Sequence, residues 1–348
     1  MTTVTAPVER DERLVRTGLL RRLLGRPELG AAVGAIAVFT FFAVYTDQFA
    51  TGRGIGNALD PAATLGIMAV VVALLMIGGE FDLSAGVMTA SSGLLIAILT
   101  TKAGFDVWLA LPLALLFGAL IGLINGLLVV LTKLPSFIVT LGTFLVLQGL
   151  NLGVTKLITE TVQISGVSRT KGYDSAYAVF ARTFPIFGGD YRITIVWWIG
   201  VTAVATWVLL RTRGGNWIFA AGGNPLAARS VGVPAARTKV VLFITVSMTA
   251  ALVGAMTVLR LRSVQANQGI GDEFAFIIAA VIGGCLLTGG YGSAIGATIG
   301  AFIFGMARQG IVFAGWDSDW FQAFLGVLLL LATMLNHFVR RRAEVAKR

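Results

Sequence analysis

Ten apolar stretches constrain the fold of this chain more than any other feature of its sequence. A helix that crosses a bilayer needs about 20 mostly apolar residues. We predict spans near residues 30–46, 62–79, 84–100, 107–131, 137–155, 193–210, 240–259, 274–289, 292–313 and 321–338. The second and third abut at a glycine pair, as do the eighth and ninth. The sequence therefore predicts an all-α, polytopic membrane protein with about ten transmembrane helices, broken or abutting near 78–86 and 289–293.

Composition excludes an ordinary soluble domain. Hydrophobic residues make up 56% of the 348 residues, and charged residues only 13%. A soluble domain is about a quarter charged. Because so few charges cannot cover a water-facing surface, lipid must solvate much of the chain.

Basic residues orient the predicted spans. They cluster in a tail at 1–29, in a loop at 211–239 that has no acidic residue, and in a tail at 339–348. Short cytoplasmic segments carry an excess of lysine and arginine. The transmembrane domain at 30–338 therefore has both termini in the cytoplasm. The net charge of +10 reports this topology, and we expect no nucleic-acid partner.

Several classes of chemistry have no support in the sequence. There is no Gly-x-x-x-x-Gly-Lys-Ser/Thr loop, so we expect ATP to be bound elsewhere. A lone His337 and a lone Cys285 make neither a metal cluster nor a thiol–imidazole pair, so we assign no catalytic residue and no metal. Transport is the leading class. A secondary transporter driven by an ion gradient stays open as the alternative, and a membrane-embedded enzyme has no supporting constellation.

Two carboxylates lie between the second and third spans, in Gly78-Gly79-Glu80-Phe81-Asp82-Leu83-Ser84-Ala85-Gly86. Charges in a membrane are costly and usually face a cavity, a partner or the interface. Three interpretations remain open. The segment is a tight cytoplasmic turn in which Asp82 or Ser84 caps the next helix, a helix break that lines a translocation path, or a direct contact with substrate.

Asp272 and Glu273 form a second acidic pair, after Gly269-Ile270-Gly271 and before a span, on the external side. Carboxylates at a helix N-terminus are stabilised by the macrodipole. Capping is one interpretation, and docking of an external partner is the other.

Four segments, taken in order, resemble the permease subunits of ribose/xylose/fructose-type ABC importers. Residues 78–84 resemble the family signature Gly-Gly-x-Asp-Leu-Ser, with Phe81 as an extra residue. Asn125-Gly126 and Pro135-Ser136-Phe137-Ile138-Val139-Thr140-Leu141-Gly142-Thr143 resemble the next stretch. Residues 221–232 resemble the cytoplasmic Gly-x-Asn-x-x-Ala-Ala-x-x-x-Gly segment, and 279–284 with 289–293 resemble the glycine-rich core. The matches cover residues 60–336.

The resemblance implies one part of a heteromeric importer in the cytoplasmic (inner) membrane of a prokaryote. Two copies of this chain, as a homodimer surrounded by membrane lipid, would form the path for a monosaccharide or similar polyol. A cytoplasmic ABC ATPase subunit would bind ATP and Mg²⁺, with no cofactor on this chain. An extracytoplasmic sugar-binding protein would deliver the substrate. On this reading Asp272 and Glu273 are candidates for docking the binding protein.

A sugar path should offer hydroxyl and amide groups with few fixed charges, and the break at 78–86 is a candidate to line it. The candidates are Glu80, Asp82, Ser84, Asn125, Thr140 and Thr143. For Asn125 and the two threonines, hydrogen bonding between helices is the competing interpretation.

The loop at 211–239 contains a short predicted helix with proline in its first turn and Asn224 as N-cap. From the residues alone, an interfacial anchor and a partner-binding helix are equally supported. The resemblance implies a coupling helix that docks on the ATPase, and its residues would be Asn224, Pro225, Ala228, Arg229 and Gly232. On this basis Ala228→Glu is expected to block docking.

Overall fold

The apolar stretches become helices in a computed structural model, which describes residues 27–186, 188–317 and 319–345. The helices are α1 (Pro27–Tyr45), α2 (Gly52–Ile77), α3 (Ala85–Thr101), α4 (Val107–Thr132), α5 (Ser136–Thr159), α6 (Tyr173–Phe180), α7 (Thr194–Arg211), α8 (Arg213–Gly223), α9 (Pro225–Ser230), α10 (Ala235–Leu261), α11 (Asp272–Ile282), α12 (Ala294–Phe313) and α13 (Trp320–Val345). The all-α prediction is confirmed.

Ten of these helices follow the predicted spans in order. Seven are long and apolar enough to cross a membrane: α1, α2, α4, α5, α7, α10 and α12. Helix α3 has 17 residues, and the apolar part of α13 is Trp320–Leu331. Helix α11 has 11 residues, which at 1.5 Å per residue is about 16 Å, or half of a bilayer core.

Local signals set the helix ends. The side chains of Thr51, Asp106 and Ser293 accept hydrogen bonds from backbone amides in the first turns of α2, α4 and α12. Such side-chain oxygens satisfy donors that have no partner within the helix. Glycine pairs follow the last turns of α2 and α11, and Gly79 and Gly284 have φ of 82° and 91°, a region that other residues rarely adopt.

Helix α2 forms the centre of the bundle, and 83% of the residues in its most apolar stretch are buried. It packs against α7, α10, α11 and α12, while α10 also packs against α3 and α4. In helices α4, α5 and α7, a third or fewer of the residues in the most apolar stretch are buried. Their outward leucines and valines suit contact with lipid, which is as apolar as these side chains.

Short strands lie at the end of the bundle that is predicted to be external. β1 (Gln163–Ser165) pairs antiparallel with β4 (Ser263–Gln265), and β2 (Thr183–Ile186) pairs with β3 (Gly189–Arg192). Asp60 of α2 binds Arg192 at 2.8 Å and Arg260 of α10 at 3.3 Å. This ion pair ties the hairpin to two long helices.

The predicted cytoplasmic tails fall largely at the limits of the structure. Residues 1–26 and 346–348 lie outside the described residues, so the tail predicted at 1–29 and the last part of the tail at 339–348 are not seen. Helix α1 already begins at Pro27, and α13 continues to Val345.

Candidate functional site

The segment between α2 and α3 is held by side chains of α5. The hydroxyl of Ser136 accepts a hydrogen bond from the amide of Phe81 at 3.0 Å, and that of Thr140 accepts from the amide of Leu83 at 3.1 Å. These bonds replace the helical bonds that the segment lacks. Unpaired backbone groups at membrane depth cost several kcal/mol, so α5 makes the break in the helix tolerable.

Asp82 and Ser84 continue the same network. Asp82 Oδ1 accepts from the amide of Ser84 at 2.8 Å and from its hydroxyl at 2.6 Å. Asn125 of α4 donates to Ser84 Oγ at 3.0 Å, and Thr143 of α5 donates to Asn125 Oδ1 at 2.6 Å. Asp82 thus closes a turn on Ser84, the residue before α3, and the Ser84 side chain accepts no hydrogen bond from the first turn of that helix.

The structure thus brings five of the six predicted path residues into one network, and the sixth, Glu80, forms an ion pair with Lys239 of α10. Asp82, Ser84, Asn125 and Thr140 are at most 1% exposed. Their observed contacts join α4 and α5 to the broken segment, which is the helix-to-helix bonding that was the competing interpretation. Their part in translocation stays a prediction.

Three glycine pairs, which we call the glycine junction, meet at the end of the bundle that is predicted to be cytoplasmic: residues 78–79, 222–223 and 289–290. The amide of Gly290 donates to the carbonyl of Ile77 at 2.8 Å. A Cβ placed on Gly222 would collide with the Ile77 carbonyl oxygen and would lie 2.8 Å from the Gly290 nitrogen. Only glycine allows three backbones to approach this closely.

The glycine junction connects the predicted cytoplasmic loop to both helix breaks. Gly222 and Gly223 are the last residues of α8. Gly78 and Gly79 follow the end of α2, and Gly289 and Gly290 lie in the segment between α11 and α12. Helix α8 therefore lies in direct backbone contact with the segments that precede α3 and α12.

Helix α9 follows the junction and has the predicted cap. Asn224 Oδ1 accepts from the amide of Ala227 at 3.0 Å, and Pro225 begins the helix. Arg229 is exposed and Gly232 has φ of 81°.

Ala228, in contrast, is only 4% exposed and faces the protein. The large apolar side chains that α9 and the turn after it leave exposed, on the side predicted to be cytoplasmic, are Leu226, 76% exposed, and Val231, 79% exposed. Sequence reasoning missed both. The available signal was a pair of aliphatic residues within 225–232, where the other residues are small, polar or basic.

The two acidic residues at the start of α11 differ in their exposure to solvent. Asp272 is exposed, whereas Glu273 is 4% exposed. The Glu273 carboxylate accepts from the amide of Gly271 at 3.1 Å. Glu273 thus serves the local turn, and Asp272 is the member that a partner can reach.

Other features offer no competing chemistry. Within the described residues, no group of three or more histidine, cysteine or acidic side chains could hold a metal ion. A cavity of about 720 Å³ opens laterally between α2, α7 and α12, with Trp198, Trp207 and Thr298 in its wall. Its wall includes none of the predicted path residues.

Comparisons with known proteins agree with this geometry. Residues 54–333 match the family model for "Branched-chain amino acid transport system / permease component". The chain is 30% identical over 312 residues to the fructose import permease protein of Rhizobium meliloti, covering 90% of this chain and 83% of that protein. It is 30% identical to the ribose import permease and to the galactose/methyl galactoside import permease of Escherichia coli K12, each covering 89% of this chain and 94% of the relative. No solved structure matches.

A match over most of the chain to one family model, together with relatives aligned over nearly their whole length, assigns the class of protein. Helices long and apolar enough to span a membrane accompany it. The chain therefore belongs to the family of ABC transporter permease subunits, which are multi-pass inner-membrane transport proteins that work with an ATPase and a binding protein.

Proposed function

We propose that this chain forms the translocation path of an ATP-driven importer for a monosaccharide or similar polyol. The names of the relatives, which import fructose, ribose and galactose, support this substrate class. The glycine junction is the observation that carries the mechanism. It offers a mechanical route from a cytoplasmic helix to two helix breaks, as a membrane subunit driven by a separate motor requires.

The ATPase subunit docks on the α8–α9 segment and supplies ATP and Mg²⁺. Leu226 and Val231 fill an apolar cleft on that subunit, and Arg229 contributes charge. Exposed aliphatic side chains in the cytoplasm lower the free energy of binding when a partner removes them from water. Asn224, Pro225, Ala228 and Gly232 shape the segment: Asn224 caps it, Ala228 packs it on the bundle, and Gly232 allows the turn after it.

A second copy of the chain completes the path, and the two copies meet on the outer face of α5. Gly142, Gly149 and Gly153 have open space where a side chain would be. Leu145 and Val146 beside them are 57% and 60% exposed. Gly149 and Gly153 form a Gly-x-x-x-Gly pair, a pattern that lets two membrane helices approach closely. The other side of α5 holds the broken segment, so the path lies next to this contact.

The network around Glu80, Asp82, Ser84, Asn125, Thr140 and Thr143 positions the inner end of the path. When α8 moves, the segment they anchor moves with it. At the external end, Asp272 contributes a docking contact for the sugar-binding protein, and Glu273 holds the turn beneath it.

Uptake by reconstituted vesicles tests the proposal. The permease, its ATPase and its binding protein are placed in proteoliposomes with labelled D-ribose, D-fructose or D-galactose. We expect uptake of at least one of these sugars that requires ATP and persists when an ionophore collapses ion gradients. Uptake that proceeds without ATP and is abolished by the ionophore would instead establish an ion-coupled secondary transporter.

A further inference from the structure

The loop between α10 and α11 descends into the membrane from the external end. At its tip, a Cβ on Gly269 would collide with the carbonyl oxygen of Gly86 and lie 2.6 Å from Thr89 Oγ1, both in α3. Thr89 in turn packs against Gly254 of α10. Gly254 lies seven residues before the last residue of α10, so the tip sits about 10 Å below the outer end of that helix.

Four amide side chains gather along this loop and the strand paired with it. We call Gln163, Gln265, Asn267 and Gln268 the amide cluster. Gln163 and Gln265 face each other across the β1–β4 pair, with 3.5 Å between Gln265 Nε2 and Gln163 Oε1. Gln268 closes the turn. Its backbone amide donates to the backbone carbonyl of Gln265 at 3.2 Å, and its side-chain Oε1 accepts from the backbone amide of Gln265 at 3.4 Å.

The cluster lies on the open side of the loop. Val264 and Ala266 point into the protein and are at most 3% exposed. Gln163, Gln265 and Asn267 are exposed, and Gln268 is half-buried. Asn267 makes no hydrogen bond within the described residues. The loop therefore turns its apolar side chains inward and its side-chain amides outward. The outer faces of α4 and α5, in contrast, expose leucines.

This arrangement does not suit lipid. Non-helical backbone at membrane depth occurs only where protein buries it or where it lines a water-filled cavity. On the predicted topology, we therefore expect the exposed part of the loop to face water, in a vestibule open to the external side.

We propose that the amide cluster binds hydroxyl groups of the transported solute as it enters this vestibule, an inference that rests on the proposed function. Each amide offers two N–H donors and a carbonyl acceptor, which suits the adjacent hydroxyls of a monosaccharide. The cluster has no formal charge, so it selects neutral polyols without holding them as an ion pair would. Asn267, which has no partner in the described structure, contacts substrate first.

Cysteine labelling tests whether the vestibule exists, without reference to transport. The native Cys285 is 1% exposed and is replaced by alanine. In right-side-out vesicles, we expect a membrane-impermeant maleimide to label Asn267→Cys and Gln268→Cys but not the lipid-side control Leu116→Cys, an exposed leucine of α4. Saturating transported sugar should slow the reaction at Asn267→Cys. If neither loop cysteine is labelled in complexes that still transport, the inference is wrong.

Transport kinetics test the role of the amides. In the reconstituted system, Asn267→Ala and Gln265→Ala should raise the KM for sugar by about threefold to tenfold, the effect of losing one or two neutral hydrogen bonds. The matched control Asn57→Ala removes an exposed amide at the start of α2 and should leave KM unchanged. Wild-type uptake with unchanged KM in both loop variants would overturn this inference alone. If the wild type takes up none of the three sugars in an ATP-dependent way, the proposed function fails and the inference fails with it.

Discussion

The amide of Gly290 donates a hydrogen bond to the carbonyl oxygen of Ile77 at 2.8 Å, although 213 positions separate the two residues along the chain. Ile77 is the last residue of α2, and Gly290 lies between α11 and α12. Gly222, near the end of the cytoplasmic helix α8, contacts both. Because protein backbones at van der Waals contact are hardly compressible, we expect a shift of α8 to move the two helix breaks together.

Docking of the ATPase should depend on Leu226 and Val231. Replacing either with glutamate puts a charge where an apolar side chain is removed from water, so we expect the affinity for the ATPase to fall by about tenfold or more. The same change at Leu134, an exposed leucine in another cytoplasmic loop, is the control. Affinity is measured between the purified permease and its ATPase by surface plasmon resonance.

Equal binding by Leu226→Glu, Val231→Glu and Leu134→Glu would contradict this surface. Ala228→Glu is a poorer probe than the sequence implied, since Ala228 is buried and a glutamate there would displace α9 itself.

The hydroxyl of Thr140 should stabilise the break between α2 and α3. Thr140→Val keeps the shape of the side chain but leaves the buried amide of Leu83 without its acceptor, which we expect to cost about 1–3 kcal/mol. Thr140→Ser keeps the hydroxyl and should behave nearly as the wild type. Thermal unfolding in detergent compares the three proteins, and a Tm for Thr140→Val at or above that of Thr140→Ser would refute the assignment.

Lys239 and Glu80 should be coupled energetically. Lys239→Met leaves the Glu80 carboxylate, which is 7% exposed, without its partner, and we expect clear destabilisation. Adding Glu80→Gln removes the stranded charge and should recover part of the loss. A double-mutant cycle on thermal stability should give an interaction of about 1 kcal/mol, and simple additivity would show that the pair does not interact.

The outer face of α5 should hold two copies together. Gly149→Leu fills space that is empty in one protomer, so it should leave the protomer stable but prevent close approach of a second α5. The control Gly200→Leu places the same side chain in open space on α7. Size-exclusion chromatography with light scattering should show loss of the dimer for Gly149→Leu alone. A dimer retained by both variants would place the contact elsewhere.

Hydropathy predicted the helices well because lipid imposes the same requirement on every span. It overestimated the length of α11, since the apolar run continues past Gly283 while the helix ends at Ile282. The contact between Thr140 and Leu83 joins residues 57 apart, and no local pattern encodes such a pairing. The glycine pairs at which predicted spans abut did indicate two breaks, but not that Gly222 lies between them.

ATP-driven uptake by Gly222→Ala tests the central claim most directly. The added methyl would collide with the Ile77 carbonyl and push α8 from the glycine junction, whereas Gly214→Ala, in the same helix, meets only the Thr212 hydroxyl at 3.4 Å. Both variants should bind the ATPase. We expect the uptake rate of Gly222→Ala to fall by about tenfold, the effect of about 1.4 kcal/mol, while Gly214→Ala stays within about twofold of wild type. Equal uptake by the two variants, with the ATPase bound to both, would show that the junction does not transmit the motion.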